Sequence, residues 1–305
     1  MNYIITAGSA YLDIDAYACS VAMRELLSLK GKNSVAYSNA AYNYSISPSL
    51  IHECDILKEV PVDFSIDSAN YIIVDVSDPG YLSEYIPLER VIEVYDHHVG
   101  FEDYWQDKIG KGAHIEFIGA AATLIYREWK KAKFQDKMSR HTAELLVAAI
   151  LDNTLYLTSS NTTAEDIQTF ENLCEKANIG EEWCAAYFSD VQKSVEADLK
   201  NALFNDIKRI TDNNILPSRM AQLCVWDAKS IIEKLPQIRQ YFDCKTDWML
   251  NIIDIKHHCS HFVCEEPNCQ RRLVQVFGVN FDDGVAKTNQ PYLRKQIIKG
   301  IIQST

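Results

Sequence analysis

No apolar stretch of this chain approaches the ~20 residues that span a bilayer, and the N-terminus has no basic region ahead of an apolar one. A soluble, cytoplasmic protein without a membrane partner is therefore expected. The nine cysteines are odd in number and scattered without a framework spacing, which fits reduced thiols better than disulfides. There is no internal repeat, no low-complexity segment and no Gly/Pro linker between domains. Positive charge is also short: the formal net charge is -12, which argues against nonspecific nucleic-acid binding, since that needs a basic footprint. A polyanionic substrate must then be met by a local cluster and not by the global field.

What the chain does have is a set of acidic residues placed after apolar runs. Val91–Tyr95 leads to Asp96-His97-His98, Tyr3–Gly8 leads to Asp13-Ile-Asp15, Tyr71–Val74 leads to Asp75, and Leu145–Leu151 leads to Asp152. Short Ile- and Val-rich runs read as buried strands of a parallel sheet, although the run before Asp152 reads equally well as the end of a helix. In open α/β sheets ligands gather at the carboxyl ends of the strands, so such ends can converge on one crevice. Carboxylates crowded together repel one another and are costly to bury unpaired. A pair of divalent cations would neutralise them. Carboxylate and imidazole ligands without Cys favour Mg or Mn over Co or Zn. Singly, each Asp could equally be a helix N-cap or a turn residue.

Periodicity supplies the rest of the expected architecture. Ala18, Val21, Ala22, Leu26 and Leu29 fall at helical spacing, so a helix starts beside the Asp13-x-Asp15 turn with its amides facing the site. A second helix is expected over Ala120–Lys131, entered through the close-packed Gly119-Ala-Ala-Ala-Thr123. Thr162-Thr-Ala-Glu165 has the form of a capping box, and a further helix is expected over Val191–Leu203. In the C-terminal part, Met220–Trp226, Trp248–Ile253 and Arg272–Phe277 read as strands and Ser230–Phe242 as a helix. The expected fold class is α/β: a catalytic domain over 1–190, with a parallel sheet and helices on both faces, and a smaller mixed α/β domain over 196–305.

In order and spacing, Asp13-x-Asp15, Asp75, Asp96-His97-His98 and Asp152 resemble the motifs of the DHH phosphoesterases, which include family II inorganic pyrophosphatases, exopolyphosphatases and prune-like proteins. The resemblance extends into the second domain, where Asp206-Ile-Lys208 and Gln290-Pro-Tyr-Leu-Arg294-Lys295-Gln296 match further family segments. It implies that Asp75 bridges two metals, that Asp13 serves the first, and that Asp15, His97 and Asp152 serve the second. Such a pair activates water and stabilises in-line displacement at phosphorus. His98 is placed near the substrate phosphate as a catalytic proton or hydrogen-bond donor, or else as a partner that orients a ligand. Asp96 is read as orienting a ligand and not as binding metal. Lys208, Arg294 and Lys295 are assigned to the substrate phosphates, which implies domain closure over the substrate; the bland reading of the Arg294-Lys295 pair is a solvated position near a helix end.

The chain departs from the pyrophosphatase pattern twice. Where pyrophosphatases carry a His ligand four residues before the first Asp, this sequence has Ser9, and where they continue the second motif as Asp-His-Asn, it reads Asp75-Val-Ser-Asp78. A neutral hydroxyl is a poorer ligand than imidazole, so the first site is expected to hold metal weakly and to prefer Mg. Exopolyphosphatases and prune-like proteins share this form more closely. The sequence therefore ranks hydrolysis of short inorganic polyphosphate first. Inorganic pyrophosphatase, a nucleotide phosphodiesterase and a prune-like interaction protein with weak hydrolysis follow as alternatives. Two divalent cations, Mg or Mn with Co possible, are the implied cofactors. A separate cluster, His257-His258-Cys259-x-His261-x-x-Cys264-x4-Cys269, has the composition of a zinc knuckle but not a common zinc spacing; it reads more simply as a loop between strands.

Overall fold

A computed structural model describes residues 2–61, 64, 66, 68–210, 215–242 and 247–303. The chain forms two compact units, Met1–Tyr187 and Phe188–Thr305.

In the first unit the strands are β1 (Asn2–Thr6), β2 (Tyr11–Leu12), β3 (Asn33–Ala36), β4 (Ala41–Tyr42), β5 (Asn70–Val74), β6 (Val91–Asp96) and β7 (Ala113–Ile115). Five of them make one parallel sheet in the order β3-β1-β5-β6-β7, and β2 pairs with β4 separately. Consecutive residues of β5, Tyr71 through Val74, are all buried. That is why the run reads as continuously apolar: a parallel sheet with helices on both faces leaves no side of the strand to water. Ile4, Tyr71, Ile73, Val91 and Val94 share one cluster with Trp105, while Ile5, Ile72 and Val74 alternate to the opposite face.

The helices of this unit are α1 (Ile14–Leu29), α2 (Glu102–Ile109), α3 (Ala121–Ala132), α4 (Arg140–Asn153) and α5 (Ala164–Ala177). The run Leu145–Leu151 is resolved as helix: Ser139 caps α4 by accepting from the Thr142 amide, and Leu145 through Leu151 are all buried within it. Asp152 therefore lies on the last turn of a helix and not beyond a strand. The capping box is real but one residue later than expected. Thr163 is the N-cap and Asp166 its reciprocal partner, because Asp166 and not Glu165 faces inward.

The division between units falls inside α6 (Glu181–Ala197), and α7 (Leu199–Asn205) follows. The second unit holds a mixed sheet of β8 (Lys208–Arg209), β9 (Arg219–Val225), β10 (Met249–Asp254), β11 (Cys259–Cys264), β12 (Phe281–Asp282) and β13 (Val285–Lys287). Its order is β12-β13-β11-β10-β9-β8, with β9 and β10 parallel and the other pairs antiparallel. The helix expected over Ser230–Phe242 is two helices, α8 (Lys229–Glu233) and α9 (Leu235–Tyr241), with Pro236 in the first turn of the second.

Two readings of this unit are corrected. Arg272–Phe277 belongs to α10 (Pro267–Phe277), whose N-cap Glu266 accepts from the Cys269 amide. Buried Cys269 and Leu273 recur there at helical spacing, and Val274, which an alternating strand would bury, is exposed. The His/Cys segment is no loop either, since Cys259–Cys264 is β11. The last helix is α11 (Arg294–Gln303). Among the described residues no helix is long and apolar enough to cross a membrane.

Candidate metal centre

The site begins at the turn into α1. Asp13 is the N-cap of that helix, its Oδ1 accepting from the Ala16 amide at 2.9 Å. This amide, expected to face a phosphate, is thus taken by the chain itself. Asp15, in the first turn of α1, is fully buried. Its two carboxylate oxygens accept from Ala121 and Ala122 at 2.8 and 2.9 Å, the first amides of α3, and the Cys19 thiol donates to it at 3.3 Å. The free amides of a helix N-terminus favour an anion. Even so, burial and then the charge of Asp13 push Asp15 up to about 7.

Asp75 follows directly on β5. Its amide extends the ladder by donating to the Tyr95 carbonyl at 2.7 Å, and its backbone then enters the left-handed region with φ 58°. This conformation is uncommon for residues other than Gly and tends to persist only where surrounding contacts impose it. Burial, then the charges of Asp13, Asp15 and Asp96, push the Asp75 carboxyl well up. Asp152 reaches about 7 through burial and the charges of Asp13 and Asp15. Carboxylates from three elements therefore feel one another in a poorly solvated space.

His97 and His98 diverge from the end of β6. The Nδ1 atom of His97 lies 3.2 Å from the Ile118 carbonyl, which fixes the proton there and leaves Nε2 with a lone pair. Nε2 faces Asp75 Oδ1 at 3.4 Å and Asp15 Oδ2 at 4.0 Å. Neither His97 Nε2 nor Asp75 Oδ1 has a hydrogen-bond partner among the described residues, although both are buried. Burial, then the neighbouring His98, push His97 down to about 4, so the ring is neutral.

Two buried acceptors face each other with no donor between them. That arrangement is costly unless a proton or a metal cation lies there. Metal–ligand bonds near 2.1 Å would hold two such donor atoms about 3.0–3.4 Å apart. Asp75, His97 and His98 each offer a donor atom within 4.8 Å of the others, and carboxylate with imidazole suits a hard or borderline divalent cation in donor type.

His98 is different. Its side chain is 61% exposed, and Asp96, itself fully buried, holds it through both its amide at 3.1 Å and Nδ1 at 2.9 Å. Asp96 therefore meets His98, and the backbone around it is tied down again. Ser77 donates its hydroxyl to the His98 carbonyl at 3.1 Å, and the buried Trp105 indole donates to the Ser77 carbonyl at 2.6 Å. This is the use made of the departure at Asp75-Val-Ser-Asp78, whose last residue caps the turn at Pro79–Tyr81 through the Gly80 amide.

Ser9 is exposed and turned aside, both its amide and its hydroxyl donating to the Tyr81 carbonyl at 2.8 and 2.9 Å. A cleft of about 500 Å3 opens beside the cluster, lined by Asp13, Asp75, Asp96 and His98 with Tyr11, Tyr81 and Phe101 at its apolar wall.

The basic residues assigned to phosphate lie in the second unit. Arg294 is committed there: its guanidinium pairs with Asp206 at 2.8 Å, donates to the Met220 carbonyl at 3.1 Å, and reaches the Asp206 carbonyl as well. Lys208 on β8 and Lys295 on α11 are exposed.

Comparison with known proteins follows the same line. A protein of Staphylococcus haemolyticus described as "Probable manganese-dependent inorganic pyrophosphatase" is 25% identical over 303 residues, spanning 93% of this chain and 92% of its own. The relationship is distant but runs the whole length. A Methanococcus jannaschii structure titled "putative family II inorganic pyrophosphatase" superposes with a TM-score of 0.62 at 18% identity, over 100% of this chain and 99% of that one. An exopolyphosphatase-related protein of Bacteroides fragilis superposes with a TM-score of 0.54 at 13% identity, over 99% and 91%. These two share the fold. No family model matches the chain.

Proposed function

We propose that the protein is a metal-dependent phosphoanhydride hydrolase acting on inorganic pyrophosphate. The observation that carries this reading is the pair of facing acceptors, His97 Nε2 and Asp75 Oδ1, buried without partners 3.4 Å apart amid further carboxylates. Donor chemistry of this kind suits Mg or Mn.

Two cations would be held here, both by Asp75, one also by Asp13 and the other also by Asp15, His97 and Asp152. Bound there, the cations supply a lowered water pKa and a clamp on the phosphoryl oxygens. The chain's own residues do the rest. The α3 amides hold the Asp15 carboxylate in one orientation. Ile118 selects the His97 tautomer that presents a lone pair. Asp96 fixes His98 at the mouth of the cleft, where its remaining ring nitrogen can donate to the leaving phosphate. No Lys or Arg lines the cleft among the described residues, so the neutralisation of substrate charge there falls to the cations. Lys208 and Lys295 offer point charges for distal phosphates, a role less open to Arg294 while it holds Asp206.

Pyrophosphate is placed ahead of short polyphosphate, which the sequence ranked first, because the relative matched along 93% of the chain carries a pyrophosphatase description. One feature favours the second reading: Ser9 occupies the position of a His ligand and spends its hydroxyl on Tyr81. Phosphate release from pyrophosphate, tripolyphosphate, long polyphosphate and a dinucleotide, each with Mg, Mn and Co, tests the choice. Turnover of pyrophosphate above the rest is expected; turnover of tripolyphosphate alone would favour the polyphosphate reading, and inactivity on all four would overturn the assignment.

A further inference from the structure

The second unit carries its own cluster of metal-ligating atoms. The sequence segment His257–Cys269 looked like one group, and the structure divides it. On β11 side chains alternate, so Cys264 points to the core, where it meets Cys269, Phe262 and Leu273. Cys259 and His261 point to the opposite face. There they meet Asp254, the last residue of β10 and the cross-strand partner of Cys259.

Cys259 Sγ lies 3.8 Å from His261 Nε2, and His261 Nε2 lies 3.9 Å from Asp254 Oδ2. All three donor atoms fall within 4.8 Å of one another. These separations are long for strong hydrogen bonds. They are close to the spacing of atoms around a tetrahedral zinc ion, about 3.4–3.6 Å for bonds of 2.0–2.3 Å. Asp254 is only 2% exposed and Cys259 2%, so the donors are held by the sheet and not by chance on a surface.

The carboxylate is also oriented from behind. The Ala228 amide donates to Oδ2 at 3.0 Å, the His257 amide to Oδ1 at 3.0 Å, and the His257 ring reaches both oxygens at 3.0 Å. Such backing is what fixes a metal-binding carboxylate.

We infer that Asp254, Cys259 and His261 form a mononuclear site for a borderline-soft divalent cation, zinc in the first instance, with the fourth position open to water. One thiolate, one imidazole and one carboxylate make a ligand set distinct from the oxygen-rich first-unit cluster, and softer. Binding displaces the Cys259 proton and ties the β10–β11 hairpin into one rigid corner.

The test uses the full chain, freed of metal by chelation and titrated with cobalt as a spectroscopic stand-in for zinc. A thiolate-to-cobalt charge-transfer absorption is expected for the wild type and for Asp75→Asn, and should vanish in Cys259→Ser and in His261→Gln. The zinc content of each of these two variants should fall by about one equivalent per chain. Because Cys19 is the thiol beside the first-unit cluster, Cys19→Ser is included. An absorption that survives Cys259→Ser and disappears in Cys19→Ser overturns the site, as does its absence from the wild type. His261→Gln, at a partly exposed position, keeps the test open if Cys259→Ser does not fold, and its cooperative melting is measured alongside.

Discussion

His97 Nε2 stands 3.4 Å from Asp75 Oδ1, and both are shut away from water with nothing to bond to among the described residues. A lone pair faces a carboxylate oxygen in a space where Asp13 and Asp15 are close enough to raise both Asp75 and Asp152. Such an arrangement is stable only with positive charge added, as protons or as metal ions.

Divalent cation should therefore stabilise the fold through these residues. Mn or Mg is expected to raise the melting temperature of the wild type and to leave Asp75→Asn nearly unmoved, while pyrophosphate turnover in that variant falls at least about 100-fold. Calorimetric melts with and without chelator provide the check; equal metal-induced shifts in both proteins would remove Asp75 from the site.

Asp96 is bonded to the His98 ring at 2.9 Å, so under the proposed assignment its loss should look different. Asp96→Asn keeps the size of the side chain but no longer holds an imidazolium, and kcat is expected to drop about 10–100-fold with metal affinity preserved. The pH profile of kcat should shift toward lower pH on its basic side, since the bond and charge of Asp96 prevail over burial in holding His98 above its usual value. An unchanged profile with reduced kcat would point to a purely structural role.

Ser9→His restores an imidazole at the position where the related pyrophosphatase pattern has one, at the cost of the bond to Tyr81. Affinity for Mn is expected to rise roughly tenfold or more, with preference moving toward pyrophosphate. Titration calorimetry and substrate competition measure both.

Asp55 offers a stability test remote from the cluster. Burial raises its carboxyl, but the bond and charge of His141, the Tyr17 hydroxyl at 2.9 Å and Arg24 outweigh it and hold the group below its ordinary value of 3.8. Folding thus favours the ionised form. The contribution is complete above the ordinary carboxylate range and is lost as pH falls through the depressed folded value. Asp55→Asn should cost about 2 kcal/mol at neutral pH and should flatten this acid limb of the stability curve, as followed by denaturant melts between pH 3 and 7.

Gly119→Ala probes the entry to α3. A methyl group there would stand 2.6 Å from Asp166 Oδ2 and 2.7 Å from Thr154 Cγ2, and Asp166 cannot yield because it also binds the Gly119 amide, Thr123 and Thr163. A loss of about 1–3 kcal/mol is expected, visible as a lowered midpoint. Since α3 presents the amides that hold Asp15, metal affinity should weaken with it.

Much of the first unit was legible because its strands are buried on both sides, which writes an apolar run into the sequence at β1 and β5 and, interrupted only by Glu93, at β6. The close approach at Gly119 was legible for a similar reason, as a run of small residues. Leu145–Leu151 was ambiguous because a fully buried helix has no polar face to betray its period. Arg272–Phe277 misled through its β-branched residues, where the cap at Glu266 and the core contacts of Cys269 and Leu273 decided for helix.

Composition and local order along the chain determined which side chains were available: acidic residues after apolar segments, a His pair beside one of them, thiols without a partner pattern. What the tertiary structure decided was direction. The left-handed turn at Asp75, the tautomer of His97 set by a carbonyl 21 residues away, and the orientation of Asp254 by the Ala228 amide depend on atoms brought together from distant parts of the chain. A one-dimensional pattern carries spacing but not the aim of a lone pair, because that aim is imposed by whichever distant group supplies the other hydrogen bond.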